Sequence, residues 1–400
     1  MNEVKQLKLQ LLTIAAIFAV PYIGAYINFN GAFPKDYFLF PHLSAVDKDC
    51  FSMPLFIFGS MLALGLAIFI VYPQILGFKK VVPKIPKVLT PKVSLPRWFW
   101  IGFLLWGSAL TCFIFHLESP MLLVKWADIP LFWGFTLMID GWVYVRSGGK
   151  SLIAQYPRSV VGIGVSAVLG WMIFEYLNNF VLESWYYPFA EIIPQDEFVI
   201  YAVIGSSGLI PPAIEIYSLL RTFPNLLTKY TQGPSISLPK WSLYLILAIS
   251  LASLFLPPFF PQYMFPALWY APLMLISVVL TFCGIWTPFT PVKTGDYSYV
   301  MLLSFSYVIL GVCLEGFNYM SGTHALSDPD SCGVVRNMVE HTTNSSYWVY
   351  SIPFLNKYHI FEMPILGYLG YFPFGLYCAV WWILFASILG IKTDFKNNGC

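Results

Sequence analysis

Ten apolar stretches constrain this chain more than any other feature, because each is close to the length that crosses a bilayer. A membrane span needs about 20 residues, and lipid tolerates only helices or closed barrels. The stretches lie near residues 10–29, 53–76, 98–116, 130–146, 160–180, 198–221, 241–260, 267–288, 299–320 and 364–390. The chain is 58% hydrophobic and only 10% charged, whereas soluble domains carry about 25% charge. We therefore predict an all-α integral membrane protein with about ten transmembrane helices, surrounded by membrane lipids.

Lysine and arginine are distributed unevenly between the predicted loops. If both termini are cytoplasmic, all but five of the 22 basic residues lie on the inner side, and six of them lie in the Pro-rich loop at 79–97. The exceptions are Lys35, Lys48, Lys125, Arg336 and Lys357. Since cytoplasmic loops carry such an excess, the pattern predicts a multi-pass protein of the bacterial inner (plasma) membrane with both termini cytoplasmic.

Four short motifs occur twice and in the same order, which indicates an internal duplication. The pairs are Ser94-Leu-Pro-Arg-Trp98 with Ser237-Leu-Pro-Lys-Trp241, Glu175-x-x-Asn178 with Glu315-x-x-Asn318, Trp185-x-x-Pro188-Phe189 with Trp348-x-x-x-x-Pro353-Phe354, and Gly205-x-x-Gly208-x-x-Pro211 with Gly367-x-x-Gly370-x-x-Pro373. Each copy holds four predicted spans, and an even number of spans makes the copies parallel.

The duplication divides the chain into three parts. Residues 1–93 hold two leading helices and the basic Pro-rich inner loop, 94–236 form copy one, and 237–400 form copy two with a long outer loop at 321–361. Duplicated membrane proteins place their binding site where the copies meet. We therefore look for function among the residues that both copies repeat.

The repeated carboxylates are the first candidates for catalysis. A charge at mid-bilayer costs about 2.5–3.5 kcal/mol even on the lenient insertion scale, so Glu175 and Glu315 must face protein or water. Asn178 and Asn318 follow at i+3 on the same helical face, where an amide can hydrogen-bond a carboxylate or a ligand. We predict that these residues form the floor of an outward-facing site. The alternative is that each pair only holds the ends of its own helices together.

Aromatic residues follow each Glu/Asn pair in the predicted outer loops. Trp185, Tyr187, Trp348 and Tyr350 would form a substrate-binding rim, since aromatic faces hold apolar chains and cations. The alternative is an ordinary interfacial belt.

Two further features concern metals and thiols. His359 and Glu362 open the last predicted helix at i and i+3, a spacing that can hold a divalent metal on one helical face; otherwise we predict no cofactor. Cys50 and Cys332 are the only cysteines in predicted outer loops, where an oxidising exterior allows them to pair or they remain unrelated thiols.

The duplicated Gly-x-x-Gly-x-x-Pro motifs lie inside two predicted spans. Proline bends a helix and frees a carbonyl, and paired interrupted helices are typical of a central cavity; close helix packing alone is the other explanation. Glu215 lies one turn past Pro211, and we expect Asp140 to pair with Arg146 or Arg158.

Several motifs resemble an uncharacterised family of bacterial polytopic membrane proteins. They are Phe174-Glu175-x-x-Asn178 with Trp185-x-Tyr187, Phe361-Glu362-Met363-Pro364-x-x-Gly367-Tyr368-x-Gly370-Tyr371-x-Pro373-Phe374, and Asp140-Gly141 with Tyr144-x-Arg146. The resemblance covers about residues 125–390. Because that family has no established activity, the resemblance implies fold and class only.

Three functions fit these features. The first is a membrane-embedded enzyme that acts on a lipid or isoprenoid-like substrate, with a glutamate as general acid or base. The second is a proton-coupled transporter of a small or amphiphilic solute, with Glu215 or Asp140 lining an inward path. The third is a structural or assembly partner with no pocket. Nothing in the sequence indicates nucleic-acid binding.

Overall fold

The computed structural model describes residues 2–82, 92–391 and 393 and is mostly helical. The long helices are α1 (Glu3–Asn28), α2 (Met53–Val71), α3 (Arg97–Ile114), α4 (Asp128–Arg146), α5 (Pro157–Asn178), α6 (Gln195–Ser206), α7 (Pro211–Arg221), α8 (Lys240–Phe255), α9 (Ala267–Phe282), α10 (Ser298–Met320) and α11 (Tyr371–Ile388). Every predicted apolar stretch overlaps at least one of them. The predominance of helices thus confirms the predicted all-α class.

Among the described residues, seven helical segments are long and apolar enough to cross a membrane by length and composition. They are Glu3–Asn28, Met53–Val71, Arg97–Ile114, Pro157–Val181, Gln195–Arg221, Ser298–Met320 and Ile365–Ile388. The helices α8 and α9 are apolar but shorter. Helix α4, which carries Asp128, Asp140 and Arg146, is not among the seven. The number of about ten spans therefore stays a prediction.

The helices of the two predicted copies make equivalent contacts. In the first copy α3 packs against α4, and α4 against α7; in the second, α8 packs against α9, and α9 against α11. The copies exchange partners at the centre, where α10 packs against α7 and α5 packs against α11. This arrangement is expected of a parallel duplication, although the domain boundaries remain a prediction. Pro83, Pro86 and Pro91 of the predicted inner connector lie outside the described residues.

Glycines allow the closest helix contacts. A Cβ at Gly102 of α3 would lie 2.6 Å from the carbonyl oxygen of Gly134 in α4, and a Cβ at Gly375 of α11 would overlap the carbonyl oxygen of Leu303 in α10. The backbones can meet at these points only because there is no side chain between them.

Replacing Gly375 with alanine should therefore destabilise the protein by about 1–3 kcal/mol, the usual cost of overpacking. Thermal unfolding in detergent, followed by tryptophan fluorescence, measures the effect. The matched control is Gly107→Ala in α3, where a Cβ would meet no atom within 4 Å from the rest of the described protein, beyond the local helix backbone, and alanine favours the helix. Equal unfolding temperatures for the two variants would contradict the close α10–α11 contact.

An outer layer of short strands covers one end of the helices. The strands are β1 (Trp185–Tyr186), β2 (Gly322–Leu326), β3 (Asn337–Thr342), β4 (Val349–Tyr350), β5 (His359–Ile360) and β6 (Met363–Pro364). All three pairs, β1 with β4, β2 with β3 and β5 with β6, are antiparallel. The β1–β4 pair joins the loops of the two predicted copies, with Trp185 opposite Tyr350.

A disulfide ties the second helix to this layer. Cys50 and Cys332 are bonded, with a sequence separation of 282 residues, so the pairing that the sequence left open is present. Helix α2 begins three residues after Cys50 and has no buried residue. The segment before α2 is therefore anchored by a covalent bond.

Candidate functional site

A narrow cavity lies between the two predicted copies, beneath the outer layer. Residues of α4, α5 and α6 line it from one side, and residues of α9, α10 and α11 line it from the other. The cavity has a volume of about 90 Å³. Its walls are mainly aromatic, and they include Trp171, Phe174, Trp185, Trp269, Trp348 and Phe374.

Glu175 lines this cavity and is 5% exposed. Its Oε1 accepts hydrogen bonds from the Trp171 indole at 3.0 Å and from the Tyr187 hydroxyl, and its Oε2 accepts one from the Trp185 indole at 3.1 Å. Within the described residues, no lysine, arginine or histidine lies within salt-bridge distance of it. Three neutral donors, rather than a cation, therefore hold this carboxyl group at the cavity wall.

Glu315 occupies the equivalent position on α10 but does not line the cavity. Its Oε1 accepts hydrogen bonds from the Tyr350 hydroxyl at 2.8 Å and from the Tyr371 hydroxyl, and both tyrosines do line the cavity. In the described part of the chain, the Trp348 indole interacts with the Glu315 carboxyl group, but Glu315 Oε2 and the indole nitrogen do not meet the geometry of a hydrogen bond. Glu315 thus reaches the cavity indirectly, through side chains that line it.

Asn178 and Asn318 hold the segments that contain Trp185 and Trp348 in place. Asn178 donates to the carbonyl oxygen of Trp185 at 2.7 Å and accepts from the Ser184 amide. Asn318 does the same for Trp348, donating to its carbonyl oxygen at 2.8 Å and accepting from its amide at 3.1 Å. Neither asparagine lines the cavity. Their contacts indicate that they position the aromatic residues.

All four predicted rim residues line the cavity: Trp185, Tyr187, Trp348 and Tyr350. The β1–β4 pair brings the two loops together, although they are distant in sequence. Burial, with the nearby Glu175 carboxyl group adding to it, raises the pKa of the Tyr187 phenol well above its usual value. Burial and Glu315 do the same for the pKa of Tyr350. Both phenols therefore stay protonated and can donate at neutral pH.

The structure adds a second acidic group that the sequence did not single out. Asp128 is 7% exposed, lines the same cavity, and is hydrogen-bonded to Ser346. It falls just before the predicted fourth span, so no rule on charges in apolar stretches identified it. Ser346 lies 218 residues away, and nothing in its local sequence indicates the contact.

The metal site predicted at His359 and Glu362 rests on a helix that is absent at these residues. They lie in the β5–β6 hairpin, so the i, i+3 argument does not apply. His359 contacts Asn356 Oδ1 at 3.1 Å, while Glu362 accepts from Tyr347 and lies 3.3 Å from His324 Nε2. Among the residues that the structure describes, no group of three His, Cys, Asp or Glu side chains is placed to hold a metal ion.

The half-buried position of His359 has a measurable consequence. Burial, with a further contribution from Arg336, lowers the pKa of His359 from 6.5 to about 4. Between these two pKa values, His359 binds its proton more tightly in the unfolded chain than in the folded protein. The free energy of unfolding should therefore fall as pH decreases from about 6.5 to about 4. Thermal unfolding of wild type and His359→Gln at about pH 7.5 and about pH 5 isolates this group. We expect the wild type to lose more stability on acidification, and equal losses would contradict the prediction.

The Gly-Pro motif of the first predicted copy interrupts its helical segment, whereas that of the second lies at the start of α11, after a strand and a 3₁₀ segment. Helix α6 ends at Ser206 and α7 begins at Pro211, while Gly367 and Gly370 lie in a 3₁₀ segment, Ile365–Gly370, that precedes α11. Proline suits the first position of a helix, where its missing N–H has no intrahelical partner to lose.

The predicted pairing of Asp140 with Arg146 or Arg158 is wrong. Asp140 accepts hydrogen bonds from the Trp98 indole, the Ser151 hydroxyl and the Ile153 amide. Arg146 instead donates to Thr222. These donors satisfy Asp140 inside the protein without a salt bridge.

Comparisons with protein-family models, with curated proteins and with solved structures give no match.

Proposed function

We propose that this protein is a membrane-embedded enzyme that performs acid–base chemistry on a lipid or isoprenoid-like substrate. The observation that carries the proposal is Glu175, a buried carboxyl group in an aromatic-walled cavity between two helical halves. The walls offer apolar surface and π-faces, which suit an uncharged chain and stabilise positive charge that develops on it. Glu175 is the group that can exchange a proton with it.

The proposal includes the setting. The chain is a ten-span protein of the bacterial inner membrane, built by a parallel 4+4 duplication, with both termini cytoplasmic and the cavity towards the outer side. The Cys50–Cys332 bond supports this orientation, because disulfides persist in oxidising compartments. The matched hydrogen bonds of Asn178 and Asn318 support the duplication. Membership of the bacterial family that the motifs resemble belongs to the same proposal.

The acidic residues favour an enzyme over the alternatives. A proton-coupled transporter needs a path to the inner side, and we expected Glu215 or Asp140 to line it. Both are at most 1% exposed, and neither lines the cavity beneath the outer layer. A purely structural protein gives no reason for a cavity with carboxyl groups in its wall.

Lipid analysis tests the proposed function. The full chain is expressed in a bacterial host beside an empty vector, and apolar lipids from both are compared by mass spectrometry. We expect one class of unsaturated apolar lipid to be converted only when the chain is present. The comparison is made in a host that makes isoprenoid pigments or quinones and in one that does not. If the protein is folded in the membrane and the lipid profile equals that of the empty vector in both hosts, the proposal is overturned.

A further inference from the structure

We propose that Asp128 is the proton-donating acid of the cavity and that Glu175 is its proton-accepting partner. This inference rests on the proposed function, and it assigns opposite roles to two carboxyl groups that line one cavity. Asp128 begins α4, and Glu175 lies in the last turn of α5.

The hydrogen bonds around Ser346 indicate where the proton is. The Ser346 hydroxyl has one hydrogen but faces two oxygens, Asp128 Oδ2 and Asn344 Oδ1, the latter at 2.8 Å. If Ser346 donates to Asn344, Asp128 must itself carry a hydrogen and donate to Ser346. If Ser346 instead donates to Asp128, lone pairs of Ser346 Oγ and Asn344 Oδ1 face each other at 2.8 Å, which is unfavourable.

The orientation of the Asn344 amide is fixed by its other contacts. Its Oδ1 accepts from the Ser346 backbone amide at 3.0 Å, and its Nδ2 donates to Ser321 Oγ at 3.1 Å. Ser321 Oγ already donates its own hydrogen to the Asn318 carbonyl. The oxygen that faces Ser346 is therefore an acceptor, and a neutral Asp128 satisfies every group in the chain of contacts.

Charge balance agrees with this assignment. Burying an ionised carboxylate without a cation is costly, and in the described ranges no basic side chain lies within salt-bridge distance of Asp128. Its neighbours are hydroxyl groups, Ser346 and Tyr201, and Tyr201 lies 3.4 Å from Ser346.

Glu175 is also buried without a cation within salt-bridge distance in the described ranges, but its hydrogen-bond donors differ from those of Asp128. Both its oxygens accept from indole N–H groups, which can only donate. Three donors stabilise the charged form of a carboxyl group. Glu175 is therefore the acceptor and Asp128 the donor.

An unsaturated, uncharged lipid is the class of substrate that two such groups can act on. Asp128 transfers its proton to one carbon of a double bond, and the π electrons form the new C–H bond, leaving a cation beside the aromatic walls. Glu175 then removes a proton from a neighbouring carbon, and that C–H electron pair forms a shifted double bond. The product is an isomer, and the proton returns from Glu175 to Asp128, so no oxidant or reductant is consumed.

Infrared spectroscopy of the purified protein tests the protonation state directly. Wild type should show protonated-carboxyl absorption at neutral pH with a component that is lost in Asp128→Asn and kept in Asp196→Asn, a matched change at an exposed position of α6. Ser346→Ala keeps the acid and should shift this component, which tests the assignment if Asp128→Asn does not fold. Absorption unchanged in both Asp128→Asn and Ser346→Ala would overturn the inference.

The lipid assay separates this inference from the proposed function. We expect Asp128→Asn to lower conversion roughly 100-fold or more, within the range for loss of a general acid, while Asp196→Asn converts normally. If Glu175→Gln abolishes conversion and Asp128→Asn does not, the role of Asp128 is wrong and the proposed function stands. If wild type converts no lipid, the proposed function fails, and the infrared result still decides the protonation state.

Discussion

Replacing Glu175 with glutamine should lower lipid conversion by a factor of roughly 100 to 10,000, the range for loss of a general acid or base. Glutamine has nearly the same shape, so the cavity stays filled, but its amide cannot accept a proton. Its nitrogen would also face the indole N–H of Trp171 or Trp185, where the carboxylate now accepts two bonds. The mass-spectrometric assay of apolar lipids measures the effect.

Two companion variants make this result specific. Glu191→Gln makes the same change at an exposed residue and should leave conversion unaltered. Glu315→Gln should have a smaller effect than Glu175→Gln, because Glu315 reaches the cavity indirectly, through side chains such as Tyr350 and Tyr371. Equal conversion by wild type and a folded Glu175→Gln protein would remove Glu175 from the mechanism.

Removing the disulfide should cost about 2–4 kcal/mol of stability, the usual range for a native disulfide. The double variant Cys50→Ser/Cys332→Ser frees the segment before α2. Because no residue of α2 is buried, the helix itself contributes little to holding this segment. Thermal unfolding with and without a reductant measures the loss, and the two conditions should differ only for proteins that retain the bond.

A single free thiol provides the control for the disulfide. Cys283→Ser removes a cysteine that has no disulfide partner among the described residues, and the unfolding of this variant should keep the sensitivity of wild type to the reductant. A double variant as stable as wild type would mean that other contacts hold the α2 segment. Wild-type protein that shows no mobility change on reduction would mean that the bond is not formed.

The length of the apolar stretches predicted the helices well. Each predicted stretch overlaps a helix, because about 20 apolar residues in a row have few alternatives to a helix. The repeated motifs also identified useful positions: Glu175 and the four rim residues Trp185, Tyr187, Trp348 and Tyr350 line the cavity.

The failures occur where distant contacts override local pattern. His359 and Glu362 precede an apolar run and suggested a helix start, but Phe361 has a positive φ of 56° and the chain forms a hairpin there. Asp140 is satisfied by Trp98 and Ser151, so it needs no arginine. Asp128 and Ser346 meet only through tertiary structure, and no spacing along the chain encodes that contact.

The strand pair above the cavity has one more consequence. Trp185 in β1 donates to Glu175, and Tyr350, opposite it in β4, donates to Glu315. The β1–β4 pair therefore carries one hydrogen-bond donor for Glu175 and one for Glu315. The backbone amide of Ser351 donates to the carbonyl oxygen of Ser184 and extends this pairing. Separating the two predicted copies would remove the strand partner of both donors, so each donor would lose the backbone pairing that helps to position it.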